Sequence, residues 1–496
     1  MSHYFYDMML PEELSQLSFI PTVPEFLSWI GTKWADRPAV SDTAVTYTYS
    51  EFCSRIARKR ALLASCGLEK GDVVAIFERT SIDAIEMFLA ACSGGWTALM
   101  LPAQLPAQAV IGCCAKFGVK VLAARDEFAP ALSGAPCKIV SSAAMAGDEA
   151  PLAVVDRNDP AAIFFTGGTT GSPKGALVPH RALMRGSFNG CFAPGSQLFG
   201  HRTVCLLPLS HVFGMIRGTL SMFYVGGLWF SAEDVKATIG KLPVIKPTIM
   251  VLVPGLCDVL AGLAKMYGPG FLGGQLKTII SGAANVPPRL ITVFEKLGVN
   301  LFAGYGMTES ANLTTGNVDV STRPTSVGKV YPEQEVKLVD GEIWIKGDNV
   351  FLGYCGNPQA TAECLTPDGW LKTGDLGRFD RDGFLYITGR IKNLIILSNG
   401  ENISPESIEE PFYKNPAVRD CLVKEDTMNG ESVIAIEILP QMSEFEGKSP
   451  DEIQEFFHKL LDEVNATLPS THRVSKMTVR KEDFKRTGAM KVSRQQ

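Results

Sequence analysis

The sequence predicts an α/β fold with a large N-terminal domain of parallel sheets, a β-rich subdomain and a small C-terminal α+β domain. Three observations predict it. Between about residues 70 and 305, short apolar runs alternate with helical patterns, as in βα repeats around a buried parallel sheet. After about residue 320, alternating residues and Asp-Gly turns indicate antiparallel hairpins. From about residue 392 a compact mixed pattern follows, and 496 residues exceed one typical domain.

Each parallel strand is predicted from a short apolar run rich in β-branched residues. These runs occupy residues 72–77, 96–101, 119–124, 161–165, 203–207, 247–253 and 276–281. Helical patterns at residues 81–92 and 107–118 follow two of them. Because ligands bind at the carboxyl ends of strands in such sheets, we expect the site in the loops there.

The hairpins are predicted at residues 336–354 and 377–390, where Asp-Gly pairs mark the turns. The C-terminal pattern predicts helices at 404–414 and 451–468 and strands at 418–425, 431–439 and 474–480. A strand ends in the basic, polar joint TGRIKN at residues 388–393. We therefore predict two domains, residues 1–391 and 392–496.

One uncharged segment, from Met87 to Ala115, is long enough to span a bilayer. Gly94-Gly95, Pro102 and Pro106 interrupt it. We interpret it as a buried helix, a turn, a buried strand and a second helix, not as a membrane segment.

The composition excludes several classes of protein. The net charge of −5 gives no electrostatic reason to expect nucleic-acid binding or an anionic membrane surface. The twelve cysteines are scattered, without zinc-site spacing, which favours a reduced, cytoplasmic protein. No signal peptide is visible at the N-terminus. The oligomeric state is not decided by the sequence, and a homodimer is compatible with it.

The segment FFTGGTTGSPKGAL, residues 164–177, has the composition of a phosphate-binding loop. Its glycines allow backbone N–H groups to approach an anion, its hydroxyls are further donors and its lysine adds charge. A Walker loop needs Gly-Lys-Ser/Thr at the start of a helix, whereas here Pro173 precedes Lys174 and a strand is predicted to follow. The alternative is a flexible loop between two strands.

This loop resembles the phosphate loop of the acyl-adenylate-forming superfamily, which includes acyl-CoA ligases, peptide-synthetase adenylation domains and luciferases. Further segments resemble the same superfamily in the same order along the whole chain. They are LPLSHVFG (207–214), SGAANVP (281–287), GYGMTES (304–310), TGD (373–375), GRIKNLIILSNGENISPESIEE (389–410) and KRTGAMKVSR (485–494). The pattern G-E-N-I-x-P-x-x-I-E is most like the acyl-CoA ligases.

The resemblance implies a two-step ligase reaction. A carboxylate attacks the α-phosphorus of ATP to give an acyl-adenylate and pyrophosphate, and a thiol then displaces AMP. The residues implied to bind ATP are Thr166, Gly167, Gly168, Thr169, Thr170, Gly171, Ser172, Lys174, Gly282, Ala283, Ala284, Tyr305, Gly306, Asp375 and Arg390. Tyr305 would stack on adenine and Asp375 would accept from the ribose hydroxyls. Thr308 would touch the α-phosphate, and Glu309 would bind Mg²⁺.

The resemblance also assigns the acid, the thiol and the domain movement. Lys491 would bridge the attacking carboxylate and the α-phosphate, and Lys392 would be the hinge of a mobile C-terminal domain. Gly400 would lie along the path of coenzyme A. The residues implied to border the acyl pocket are His211, Phe213, Gly282, Ala303 and Gly304, with His211 also at the thiol entrance.

The chain departs from the superfamily pattern at four positions without losing a charged catalytic group: Gly167, Ala303, Asn399 and Met490. Met490 replaces the family's usual glycine before the catalytic lysine. The expected substrates are a small carboxylic acid, ATP with Mg²⁺, and coenzyme A. Two alternatives stay open: a free-standing enzyme that loads a carrier protein, and a non-catalytic nucleotide-binding protein of the same fold. Which acid is activated does not follow from the sequence.

Overall fold

The largest sheet in the described part of the chain has seven strands, and it contributes residues to the candidate site. The structure is a computed structural model that describes residues 4–166, 174–192, 198–396, 402–428 and 431–485, with residues 492 and 494. In spatial order this sheet contains Gly353–Tyr354, Lys174–Pro179, Pro160–Thr166, Thr97–Leu101, Val73–Phe77, Val119–Ala124 and Lys138–Ser141. The last five are parallel to one another, whereas the first two pair antiparallel. The apolar strands are buried, as both faces of a covered parallel sheet require.

The uncharged segment from Met87 to Ala115 is folded as predicted. It comprises the end of helix Ile82–Ser93, a turn, strand Thr97–Leu101 and helix Ala107–Lys116. Helix Ile82–Ser93 is buried over nearly its whole surface. No helix in the described part of the chain has both the length and the apolar character that crossing a bilayer needs.

A five-stranded sheet lies beside the first. Its strands, in spatial order, are Ile249–Leu252, Thr278–Ser281, Asn300–Tyr305, Thr315–Asn317 and Lys329–Val330. The first three are parallel and the last two are antiparallel. A separate four-stranded sheet contains Thr46–Thr48, Pro38–Ser41, Leu228–Phe230 and Arg202–Val204.

Most residues of the predicted hairpins form an antiparallel four-stranded sheet, whereas Gly353–Tyr354 pairs instead in the seven-stranded sheet. Its strands are Gln334–Val339, Glu342–Gly347, Leu371–Phe379 and Leu385–Arg390. Asp340 and Gly341 connect the first two with φ angles of 51° and 81°. Both are left-handed, as a two-residue hairpin turn of this kind requires.

The C-terminal residues form smaller sheets with their own apolar core. Strands Ile395–Ile396 and Asn402–Ile403 pair with each other, and Val418–Met428, Glu431–Pro440 and Lys476–Val479 form a three-stranded sheet. Ser449 and Glu452 form a capping box at the start of helix Pro450–Thr467. The division of the chain at residue 392 stays a prediction.

The remaining helices connect and cover these sheets. The other α-helices are Pro11–Leu14, Val23–Lys33, Tyr49–Ala64, His180–Asn189, Ser221–Tyr224, Val235–Gly240, Leu242–Ile245, Pro254–Tyr267, Pro288–Lys296, Pro358–Cys364 and Pro405–Tyr413. Residues Phe213–Leu220 form a π-helix. Short 3₁₀ turns occur at Ala129–Leu132, Pro269–Leu272, Thr308–Ser310, Ile391–Asn393, Met442–Glu444 and Ser470–His472.

Candidate active site

Tyr305, Asp375 and Arg390 form one hydrogen-bonded group. Tyr305 is the last residue of its strand, and its hydroxyl donates to Asp375 Oδ2 at 2.7 Å. Arg390 Nε lies 2.7 Å from Asp375 Oδ1, and the two residues are partners on adjacent antiparallel strands. The Asp375 side chain is 2% exposed and that of Arg390 is 51% exposed. The carboxylate is therefore fixed from two sides, while the guanidinium stays accessible.

Glu309, Tyr354 and Lys174 form a second group. Glu309 lies in the turn Thr308–Ser310, directly after the strand that ends in Tyr305. Its buried Oε1 accepts a hydrogen bond from the Tyr354 hydroxyl at 2.6 Å. Lys174 Nζ lies 4.9 Å from the centre of the Tyr354 ring. Tyr354 therefore connects the buried carboxyl group to the end of the predicted phosphate loop.

Electrostatic effects join the two groups into one site. Burial raises the pKa of Glu309, the hydrogen bond from Tyr354 and the charge of Arg390 oppose this rise, and Asp375 adds to it. Burial and then the charge of Asp375 raise the pKa of Tyr305. The site therefore combines residues from the seven-stranded sheet, the five-stranded sheet and the antiparallel four-stranded sheet.

The carboxyl group of Glu309 fits a metal bound together with a phosphate. Ionising a buried carboxyl group is unfavourable unless a cation lies beside it. Mg²⁺ at phosphate sites is typically held by one or two carboxylates and by the substrate's own oxygens. In the described ranges, no group of three or more His, Cys, Asp and Glu residues could hold a metal ion. Thr308 begins the same turn as Glu309 and is half-buried.

The predicted acyl residues Phe213, Gly282 and Gly304 adjoin one another. A Cβ atom placed on Gly282 would lie 3.3 Å from Phe213 Cζ and 3.6 Å from the Gly304 carbonyl oxygen. Phe213 begins the π-helix, and the His211 carbonyl accepts from the Met215 N–H at 2.9 Å. Long π-helices are rare and often occur at functional sites.

The residues predicted around adenine line the same end of the five-stranded sheet. Ala283 takes a left-handed φ of 65° just beyond strand Thr278–Ser281, and Ala284 is exposed. Gly306 packs against backbone, because a Cβ atom there would lie 1.4 Å from the Asn312 carbonyl oxygen. A larger residue at position 306 cannot fit this loop.

Ala303 lies apart from the neighbouring residues Phe213, Gly282 and Gly304. Successive strand residues point to opposite faces of a sheet, and Ala303 packs in an apolar cluster with Leu252, Leu290 and Phe294. Phe302 instead packs in the cluster that contains Phe213. The structure thus places Gly304, but not Ala303, on the face that the acyl prediction requires.

Several predicted residues lie outside the described residues: Gly167, Gly168, Thr169, Thr170, Gly171, Ser172, Gly400, Met490 and Lys491. Thr166 and Lys174 are described, and they are paired residues of adjacent antiparallel strands. Lys392 lies exposed in the turn Ile391–Asn393, immediately after the strand that ends in Arg390.

Two residues with important contacts, one in the site and one among the C-terminal residues, were missed by the sequence analysis. One is Tyr354, whose strand of two residues lies too far along the chain for any local pattern to link it to Glu309. The other is Arg494, three residues after Lys491. Arg494 Nη2 lies 3.0 Å from Oε1 of both Glu406 and Glu409, and its Nη1 donates to the Val423 carbonyl at 2.9 Å. The sequence signal that could have indicated this contact is a pair of glutamates three residues apart, Glu406 and Glu409, together with an arginine far along the chain.

Comparison with known families decides the classification. Residues 27–355 match the family model described as AMP-binding enzyme, and residues 392–496 match the AMP-binding enzyme C-terminal domain. The chain belongs to the AMP-binding enzyme family. This confirms the predicted resemblance to acyl-adenylate-forming enzymes.

Relatives within the AMP-binding enzymes carry CoA-ligase names. The chain is 31% identical over 331 residues to a long-chain-fatty-acid–CoA ligase, FadD15, of Mycobacterium bovis. That match covers 56% of this chain and only 54% of the relative, or about half its length. The chain is 31% identical over 485 residues to 4-coumarate–CoA ligase-like 3 of Oryza sativa subsp. japonica, covering 84% of the chain and 81% of the relative.

A solved CoA ligase has the same overall fold. The anthranilate CoA ligase AuaEII, in complex with anthranoyl-AMP, superposes with a TM-score of 0.83 at 20% identity, covering 96% of each chain. This agreement confirms the predicted α/β fold class.

Proposed function

We propose that this chain is an ATP-dependent carboxylic acid–CoA ligase that forms an acyl-adenylate, releases pyrophosphate and transfers the acyl group to coenzyme A. One observation carries the proposal: residues from three sheets form two groups that act on each other electrostatically. Hydrogen bonds join Tyr305, Asp375 and Arg390, and Tyr354 donates a hydrogen bond to Glu309 while its ring contacts Lys174. Family membership and the CoA-ligase names of the relatives support the same reaction.

The first group suits a nucleoside. Asp375 holds a buried carboxylate, which is a hydrogen-bond acceptor only and suits two ribose hydroxyls. Tyr305 offers a ring face for adenine beside Gly282, Ala283 and Ala284. The exposed part of Arg390 is available to the ribose or a phosphate. The fixed position of Asp375 means that binding requires little reorganisation.

The second group suits the phosphates. Two anions must meet in the first half-reaction, so positive charge and oriented donors reduce the barrier most. We assign Lys174 and residues 166–172 to the β- and γ-phosphates and Thr308 to the α-phosphate. Glu309 would hold Mg²⁺, which supplies charge neutralisation on the phosphates when bound. Lys491 would contact the attacking carboxylate and the α-phosphate.

The acid and coenzyme A are assigned to the remaining residues. Phe213, Gly282 and Gly304 would border the acyl group, and His211 would lie at the entrance of the thiol. Residues 1–391 and 392–496 would be the two domains that change orientation about Lys392 between the half-reactions. The second family match begins at the same residue. Gly400 would lie along the path of coenzyme A.

The test is pyrophosphate release from ATP and Mg²⁺ with a panel of carboxylic acids, followed by thioester formation with coenzyme A. We expect acid-dependent pyrophosphate release and a CoA thioester. Release of pyrophosphate without a CoA thioester, but with loading of a carrier protein, would replace the CoA assignment. No acid-dependent pyrophosphate release from a folded, ATP-binding protein would contradict the proposal and favour a non-catalytic role.

A further inference from the structure

Arg217 is a buried cation that pairs with no carboxylate among the described residues. It lies in the π-helix Phe213–Leu220, and it is 1% exposed. Its Nε and Nη1 atoms have no hydrogen-bond partner among the described residues. Burial lowers the pKa of its guanidinium, and the groups that oppose this are the side chains of Tyr331 and Cys191, neither a carboxylate. A buried guanidinium left unpaired is strongly unfavourable.

Three glycines in or next to adjacent strands form a row between Phe213 and Tyr331. Strand register places Gly282, Gly304 and Gly316 side by side, because Ser281 pairs with Ala303 and Gly304 pairs with Gly316. A Cβ atom on Gly282 would meet Phe213, and one on Gly316 would lie 2.5 Å from the Tyr331 hydroxyl oxygen. One on Gly304 would meet only backbone of the neighbouring strand. The row is therefore a strip without side chains of its own, and it ends at Phe213 and Tyr331.

Arg217 acts electrostatically on one end of this strip. Its charge acts on the Tyr331 phenol, whose pKa burial raises to about 12. Its Cδ would lie 3.0 Å from a Cβ atom on Gly190. The preceding residue, Asn189, is fully buried, and within the described residues neither amide atom of its side chain has a partner. Within the described residues, two buried polar side chains with unmet hydrogen bonds thus belong to adjoining segments, Asn189–Gly190 and the π-helix that contains Arg217.

We propose that Arg217 binds a second carboxylate on the acid substrate, so that the enzyme activates dicarboxylic acids. This rests on the proposed ligase function, since the glycine row would be the floor of its acyl pocket. One carboxylate would react near Gly304 and Thr308, and the other would be held at the Tyr331 end. The planar guanidinium matches a carboxylate with two parallel hydrogen bonds. The Asn189 amide and the Tyr331 hydroxyl are further donors of suitable chemistry.

The experiment compares each α,ω-dicarboxylic acid of four to ten carbons with its own monomethyl ester in acid-dependent ATP–pyrophosphate exchange. The ester keeps one carboxylate for activation and removes the second charge. For at least one length we expect kcat/KM to be at least about tenfold higher for the diacid. In Arg217→Met we expect the diacid to lose that advantage while the ester is activated as well as before. Equal activation of diacids and esters by the wild type would overturn the proposal, as would a preserved diacid preference in Arg217→Met.

Two further variants separate charge from packing. Arg217→Gln keeps polar atoms without the charge, and it should behave like Arg217→Met. Arg289→Met is the matched control, because Arg289 is ion-paired with Asp258 on helix Pro254–Tyr267, and it should keep the diacid preference. Loss of the preference in Arg289→Met would overturn the assignment to Arg217.

Thermal unfolding makes the test independent of catalysis. Because no carboxylate in the described part of the chain pairs with Arg217, Arg217→Met should be at least as stable as the wild type. A diacid should raise the Tm of the wild type but not that of Arg217→Met or Arg217→Gln. If no acid is adenylated but this difference in Tm is found, the ligase function fails while the carboxylate site stands. If acids are adenylated and no diacid shifts the Tm selectively, the carboxylate site fails and the ligase function stands.

Discussion

Asp375 accepts the Tyr305 hydroxyl on one oxygen and Arg390 Nε on the other, both at 2.7 Å. The end of the five-stranded sheet is thereby fixed to the antiparallel hairpin through a buried carboxylate. Such a carboxylate has lone pairs left for a ligand while its orientation is held by the protein.

Asp375→Asn should weaken ATP use strongly, because it removes the charge that Arg390 pairs with. Hydrogen bonds to charged groups contribute about 1.5–3 kcal/mol, so we expect kcat/KM for ATP to fall about a hundredfold. Tyr305→Phe removes a single hydroxyl and should cost about tenfold. Pyrophosphate exchange at varied ATP measures both. Asp382→Asn, at an exposed carboxylate paired with Arg323, is the control and should match the wild type. Wild-type ATP kinetics in Asp375→Asn would contradict the ribose assignment.

Glu309→Gln should raise stability and remove activity together. Burial raises the folded-state pKa of Glu309 above 4.5, so its ionisation favours the unfolded state as pH rises. The Tm advantage of Glu309→Gln should be absent at pH 4 and should grow as the pH rises above 4.5 through the folded-state pKa. Adenylation should fall by about a hundredfold or more. Exposed Glu335→Gln should change neither quantity. An advantage that shrank with rising pH would refute this account of Glu309.

Arg494→Met should destabilise the C-terminal residues at neutral and higher pH. Burial raises the pKa of Glu409 to about 7, and the charge of Arg494 opposes that rise. Without the arginine, ionising Glu409 leaves a buried, unpaired charge, which costs about 3 kcal/mol. We expect a larger loss of stability at pH 8 than at pH 5 in urea unfolding.

The double variant Arg494→Met/Glu409→Gln should recover that stability. It should not recover adenylation, because the contacts of Arg494, three residues after Lys491, are still missing. Arg419→Met, which breaks an exposed pair with Asp483, serves as the control with an effect below about 1 kcal/mol. Equal losses of stability at both pH values would show that Glu409 is not the cause.

Lys392→Pro should separate the two half-reactions. Proline fixes φ and restricts the preceding residue, so the proposed rotation about the turn Ile391–Asn393 would be blocked. We expect pyrophosphate exchange to be retained within about threefold, with thioester formation reduced at least about a hundredfold. Lys392→Ala keeps the backbone free and should support both steps. The same loss of both steps in the proline variant would argue against a hinge at this position.

Gly306→Ala should disrupt the loop that follows Tyr305. Its Cβ atom would lie 1.4 Å from the Asn312 carbonyl oxygen, so the backbone would have to move. We expect a loss of about 3 kcal/mol or more in unfolding free energy. Gly262→Ala, within helix Pro254–Tyr267, has open space and should stabilise the protein by about 1 kcal/mol. A Tm of Gly306→Ala equal to the wild type would show that this loop is tolerant.

The sequence predicted most of the fold, since the strongest signals were local. Runs such as Val73–Phe77 and the Asp340-Gly341 turn carry their structure in a few neighbouring residues. The strands before residue 70 were not predicted. Pro38–Ser41 pairs with Leu228–Phe230, about 190 residues away, and such pairing leaves no local pattern.

The candidate site was predicted in its residues but not in its contacts. Family motifs indicated Glu309, Tyr305 and Asp375, yet no motif joined Tyr354 to Glu309. Nor did any motif indicate that Nε and Nη1 of Arg217 would lack partners among the described residues. Alternation within strand Asn300–Tyr305 would have separated Ala303 from Gly304, because neighbouring strand residues face opposite ways. The burial of a side chain and its lack of hydrogen-bond partners depend on how distant segments pack, so a local sequence pattern does not reveal them.

Because Thr166, Tyr305 and Arg390 come from three different sheets, adenylation would also be a probe of folding. Any partly unfolded form that releases one sheet separates members of the site. Enzyme activity in increasing urea should therefore disappear with the first sheet to detach, ahead of or together with the loss of far-ultraviolet circular dichroism. A proteolytic fragment ending before residue 371 would keep its parallel sheets and still lack a place for the ribose.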